Sequence, residues 1–146
     1  MKLECAWDEK MKFTAVADGH QVEMDTKPPI GGGTALTPKQ LLLAAIAGCT
    51  AMDVVALLKK YKQPLDSFHV DTDATTTEGV YPAVFKEVKL TFRLKGELDV
   101  ARVLEAVLLS QTKYCGVSAM VSKAFPISYT VELNGKSIGT GTADFK

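Results

Sequence analysis

The feature that most constrains this chain is a run that starts at Thr37-Pro38-Lys39-Gln40 and stays apolar for about five helical turns. Thr37 can accept bonds from the first free backbone N–H groups, Pro38 has no N–H to lose at the first helical position, and Gln40 is placed to bond back to Thr37. A capping box and an N-terminal proline together fix a helix start. The helix is expected to end at Lys60, because Gln63-Pro64 follows. From Leu41 to Leu58 it is apolar on nearly every side, and Ala44, Ala45, Ala47, Gly48 and Ala51 are small enough to admit close neighbours. Such a rod, about 35 Å long at 1.5 Å per residue, needs covering all round. A chain of 146 residues has little left to wrap it, so a second copy is expected to supply part of the cover.

The remaining segments come in blocks. Lys2 to Trp7, Lys12 to Ala17 and Gln21 to Asp25 alternate as strands, with Asp18-Gly19 as a hairpin turn, which gives a small antiparallel sheet. Lys27 to Gly33 holds two prolines and three glycines and must be a loop. After the long helix, Phe68 to Thr77 and Phe85 to Lys95 alternate again and pair most simply as a hairpin. Val100, Val103, Leu104, Val107 and Leu108 then recur at helical spacing, predicting an amphipathic helix over 99–114 capped by Asp99. Gly116 to Phe125 can form a short helix, and Asn134-Gly135 is a type I′ turn joining the two strands of a closing hairpin. Strands and helices in blocks indicate an α+β fold, expected as one domain over residues 1–146.

Bulk charge excludes some functions. Seventeen basic and 17 acidic residues cancel, leaving no field to gather nucleic acid or anionic lipid. The charged opening Met1-Lys2-Leu3-Glu4 lacks the apolar core of a secretory signal. The stretch from Leu41 is interrupted by Thr50 and Asp53, and a bilayer takes roughly 20 apolar residues, so no membrane role is expected. A cytoplasmic protein follows. Cys5, Cys49 and Cys115 are an odd set without a CxxC pair, which argues against a disulfide framework and against zinc. Free thiols are expected.

Two of these cysteines sit in unusual places. Cys49 is deep in the apolar helix within Ala47-Gly48-Cys49-Thr50-Ala51, where low bulk lets something approach: a partner helix, or a substrate. Cys115 stands at the start of a short helix beside Lys113, where the positive helix end favours a thiolate, whereas Asp53 lies one turn beyond Cys49. By local physics Cys115 is the more reactive thiol. Cys5 reads as sheet filler alternating with Leu3 and Trp7, and His20 and His69 lack sequence partners for a metal or a base role.

The chain resembles the family of osmotically inducible protein C and organic hydroperoxide resistance proteins, OsmC/Ohr. The likeness rests on Leu36 to Cys49 opening the central helix, on Tyr114-Cys115-Gly116-Val117-Ser118, on Tyr81-Pro82-Ala83-Val84-Phe85, and on the hairpin from Ile127 to Gly135; the two cysteines stand 66 positions apart. The resemblance implies antiparallel sheets wrapped around long central helices in an intertwined homodimer. It also implies a peroxiredoxin-like oxidoreductase serving oxidative stress defence, a thiol peroxidase for organic hydroperoxides. Peroxide would oxidise Cys49 to a sulfenic acid, Cys115 would condense with it, and a thiol reductant such as a dihydrolipoyl group would reset the pair, with no metal or bound cofactor. In the best-characterised branches a glutamate ten residues before the first cysteine holds an arginine. Here Lys39 occupies that position and no arginine precedes Arg93, so Lys39, Lys27 or Lys12 is left to supply the positive charge, Lys39 first because it stands at the helix start on the motif itself. The pattern resembles a divergent branch that continues Asp53-Val54-Val55 and Leu57-Leu58-Lys59-Lys60, and the alternative function is binding an apolar small molecule at the dimer interface without efficient peroxidase activity.

Overall fold

A computed structural model describes all of residues 1–146, which fall into two compact units, Met1–Ala44 and Ala45–Lys146. The first unit carries an antiparallel sheet in the order β1 (Glu4–Glu9), β2 (Lys12–Ala17) and β3 (His20–Met24). Asp18, at a φ of 51°, and Gly19, at 78°, form the tight β2–β3 turn. Cys5 is exposed along with all of β1, so it fills no core in the single chain.

The loop after β3 is organised by a residue that sequence patterning treated as the end of a strand. Asp25 is buried, at 3% exposure. Its carboxylate accepts hydrogen bonds from the backbone N–H groups of Thr26, Gly32 and Thr34 and from the Thr34 hydroxyl. Gly31 permits the wrap, because a Cβ there would meet the Thr26 carbonyl oxygen and the Asp25 carboxylate. The Thr34 N–H above all, and the other donors after it, hold the Asp25 carboxyl below its usual range. A depressed carboxyl stabilises the fold above the unfolded-state pKa, about 3.9, and that contribution disappears as pH falls through the lower folded-state value. Asp25→Asn should therefore lower the urea midpoint at neutral pH, and its midpoint should change less than that of the unaltered protein between pH 4 and 2.

Helix α1 spans Pro38–Lys60, the range the sequence predicts. Its capping box is present: the Thr37 N–H donates to Gln40 Oε1 at 2.9 Å and the Gln40 N–H to Thr37 Oγ1 at 3.3 Å. Only one stripe, Ile46, Thr50, Val54 and Leu58, is buried, at the i, i+4 spacing of a single helix face. By length and composition α1 could also cross a bilayer, so the expectation that its apolar run is too short for that is corrected. Its polar members Thr50 and Asp53, however, are bonded to side chains of the chain itself.

The second unit holds a four-stranded sheet ordered β4 (Leu65–Thr76), β5 (Phe85–Gly96), β6 (Ile127–Leu133) and β7 (Lys136–Thr142). The β4–β5 and β6–β7 pairs are antiparallel, as expected. The β5–β6 pair is parallel, which corrects the expectation of purely antiparallel sheets. The cause is the helical connection between them, since parallel neighbours need a crossover that returns the chain to the same edge. On the inner face Val88, Leu90, Phe92 and Leu94 alternate with Lys89, Thr91 and Arg93 on β5, and Ile127, Tyr129, Val131 and Leu133 alternate on β6. Asn134 and Gly135, both at positive φ, make the β6–β7 turn.

The crossover is not one helix over 99–114. Helix α2 covers Val100–Leu109, with Asp99 accepting from the Ala101 N–H, and a single π-helical turn, Ser110–Tyr114, follows. The Thr112 hydroxyl takes the Leu108 carbonyl, and the Cys115 N–H reaches back five residues to the Ser110 carbonyl. A side chain competing for a helix carbonyl loosens the regular winding at that turn. Helix α3 then runs Gly116–Val121.

Candidate functional site

The π turn, α3 and the middle of α1 bring the two motif cysteines together. Cys49 Sγ, Cys115 Sγ and a carboxylate oxygen of Asp53 all lie within 4.8 Å of one another, and both thiols are free. Cys49 is half-buried, while Cys115 has no exposed surface. Asp53 follows Cys49 by four residues, so the two share one face of α1. Cys115 is the N-cap of α3, and its sulfur accepts the Ser118 N–H at 3.3 Å.

That placement reverses one inference from local sequence. The Ser118 bond favours the thiolate, as the helix-start argument anticipates, but removal from water is the larger effect and pushes the Cys115 thiol up to about 11. A six-residue helix end cannot offset the loss of hydration around a fully buried sulfur. Cys115 is the protected thiol of the pair, and Cys49 the one with an opening.

A hydrogen-bonded chain backs the site. Gln111 Nε2 donates to Thr50 Oγ1 at 2.8 Å, Thr50 Oγ1 and Ser110 Oγ are 2.7 Å apart, and the Ser110 hydroxyl donates to Asp53 Oδ2 at 3.0 Å. An ionised carboxylate only accepts, so Ser110 must spend its proton on Asp53 and take one from Thr50, which in turn accepts from Gln111. Every donor in the chain thus points toward Asp53. Buried Gln111 Oε1 has no hydrogen-bond partner. Two sulfurs and one carboxylate oxygen supply three donor atoms, whereas a closed structural zinc site takes four.

Of the residues singled out from sequence, Cys49 and Cys115 meet. Lys39 is exposed at the second position of α1, ten residues ahead of Cys49 in the same helix. Sequence reasoning did not assign Ser110 and Gln111, and it took Asp53 as the acid one turn beyond Cys49, without the bond to Ser110 that holds it.

The α+β chain brings two remote, unbonded thiols and a carboxylate together, and its fold is that of the OsmC/Ohr class. Residues 31–130 match the family described as OsmC-like protein, and the chain belongs to that family. It is 35% identical over 135 residues to Protein YhfA of Escherichia coli (strain K12), covering 91% of this chain and 98% of that one. A crystal structure of an Aquifex aeolicus protein superposes with a TM-score of 0.81 at 24% identity, covering 91% and 95% of the two chains. An organic hydroperoxide resistance protein OsmC from Legionella pneumophila gives 0.62 at 18% identity, covering 90% and 93%. At those identities the two structures speak for the fold.

Proposed function

We propose that the chain is a thiol peroxidase that reduces organic hydroperoxides, with Cys49 as the attacking thiol and Cys115 as the resolving one. The observation that carries this reading is the convergence of a half-open and a fully buried sulfur within 4.8 Å. The Cys49 thiolate attacks the outer peroxide oxygen, the O–O bond breaks, an alcohol leaves, and sulfur is oxidised to the sulfenic acid. Cys115, already adjacent, traps that acid before further oxidation destroys it. A dithiol reductant of the dihydrolipoyl kind then restores both thiols, in the cytoplasm, with no bound cofactor. Lys39 is retained as the candidate for positioning the peroxide. The reduced protein, treated with one equivalent of cumene hydroperoxide, should lose two of its three thiols; retention of all three would sink the reading.

We further propose a homodimer, each protomer one OsmC-like domain. Outside its buried stripe α1 leaves apolar side chains in water, Met52 at 75% exposure among them. An open apolar groove of about 550 Å³, lined by Ala51, Met52, Val55, Ala56, Lys59 and Phe68, runs along this face. A second copy is the occupant of matching chemistry, since burying one such side chain is worth about 1.5–3 kcal/mol. Met52→Glu should shift sedimentation from dimer to monomer at micromolar concentration. The same groove favours a second reading, an apolar small molecule bound without efficient turnover; native mass spectrometry showing added mass on a peroxide-inert protein would select it.

A further inference from the structure

The proposed reaction leaves one chemical problem. The resolving sulfur must attack as a thiolate, yet Cys115 is wholly buried and its thiol is pushed up to about 11. A thiol of that pKa is ionised in about one molecule in ten thousand at pH 7. Closing the disulfide therefore needs a group that removes the proton as the bond forms.

We propose that Asp53 is this proton acceptor: its carboxylate takes the proton from the Cys115 thiol as the sulfur attacks Cys49, and passes it to the departing oxygen. The inference rests on the assignment of Cys49 and Cys115 as attacking and resolving thiols. Three observations carry it. The carboxylate oxygen lies within 4.8 Å of both sulfurs, in reach directly or through one water, so a single group serves the sulfur that loses a proton and the one that loses oxygen. The carboxylate is held through Oδ2 by Ser110, which fixes its orientation. The donor chain from Gln111 through Thr50 and Ser110 ends on Asp53, an arrangement that satisfies the ionised, proton-accepting form. The groups in this network come from α1, the π turn and α3; Cys49, Cys115 and Asp53 are its titratable members, and Thr50, Ser110, Gln111 and Ser118 are neutral.

The balance is that of a condensation. The sulfenic acid on Cys49 and the thiol of Cys115 give one disulfide and one water. The S–S bond forms with the electron pair of the Cys115 sulfur, the S–O bond of Cys49 breaks, and hydroxide leaves. The proton that Asp53 received from Cys115 completes the water, which returns the carboxylate to its starting state.

Closure can be followed without peroxide. In a Cys5→Ser background, 5,5′-dithiobis(2-nitrobenzoate) should release one thionitrobenzoate as Cys49 is tagged and a second as Cys115 displaces the tag. Asp53→Asn should slow the second phase about 100-fold at pH 7, within the range for loss of a general base, and should not slow the first, since losing a negative charge beside Cys49 favours its thiolate. Its second phase should climb tenfold per pH unit toward the titration of Cys115, whereas the unaltered protein stays nearly flat from pH 6 to 9. Asp53→Glu, which keeps a carboxylate, should recover most of the rate. Equal second-phase rates in Asp53→Asn and the parent, or equal slowing of both phases, overturn the proposal. Should Asp53→Asn fail to fold, the parent decides alone: a second phase that itself rises tenfold per pH unit through pH 7 to 9 shows that no base acts. The peroxidase reading is judged separately, by whether dimedone captures a Cys49 sulfenic acid in Cys115→Ser after cumene hydroperoxide.

Discussion

Cys49→Ser should abolish hydroperoxide consumption, a loss of about a thousandfold or more of the kind that follows removal of a nucleophile. A serine hydroxyl at the half-open position cannot be oxidised to a species that Cys115 could capture, and Cys115 has no exposed surface through which to meet the peroxide itself. Cys115→Ser should behave differently. It should consume about one equivalent of hydroperoxide quickly, because the attacking thiol is untouched, and then stall, because nothing adjacent resolves the sulfenic acid. Continued peroxide should carry Cys49 onward to sulfinic and sulfonic acids, mass increases readable on the intact protein. Turnover in Cys49→Ser near that of the parent would mean that Cys115 or another group is the point of attack, and the division of labour drawn from burial would be wrong.

Phe92→Ala should cost about 3–5 kcal/mol, the range for removing a fully enclosed aromatic ring. Phe92 is entirely buried on β5, stacked on Phe68 of β4 with ring centres 6.3 Å apart, and edge-on to Tyr129 of β6 at 6.0 Å. The ring joins three neighbouring strands, two of them paired in parallel, and its flanking residues Leu90 and Leu94 are equally enclosed. Tyr129 cannot swing into the space freely, because its ring already lies against the Cβ position of Gly141 on β7. A cavity would remain. Denaturant unfolding at neutral pH, in reducing buffer, measures the loss directly; a midpoint unchanged within error would mean that the surrounding side chains collapse onto the vacated site.

Which parts of this structure were readable in advance follows from the range of the interactions involved. Helix α1 was read to the residue because Thr37, Pro38, Gln40 and Pro64 act on their immediate neighbours. The Asn134-Gly135 and Asp18-Gly19 turns were legible for the same reason. The parallel pairing of β5 with β6 was not, since alternation along a strand gives its faces but not its neighbour's direction. The π turn was missed because Ser110 to Tyr114 continues a helical pattern, and the rewinding depends on Thr112 bonding a carbonyl four residues back. At the site, two cysteine motifs stood out by their local sequence, but the burial that pushes the Cys115 thiol up did not: helix-end position is visible in a sequence and depth of burial is not. Asp53 was legible only as an acid one turn beyond Cys49, because its bond to Ser110 comes from 57 residues later in the chain.

The helical crossover between β5 and β6 gives the proposed reaction a mechanical side. Cys49 lies in the middle of α1 and Cys115 just after the π turn, so a bond between their sulfurs would enclose the second half of α1, β4, β5, α2 and the π turn in a covalent ring with its ends 66 positions apart. By chain-entropy reasoning a ring of that size restricts the denatured polymer by about 4 kcal/mol. The spent, oxidised form would then be the sturdier one, and each reduction would return the protein to a looser condition, ready for peroxide but easier to unravel.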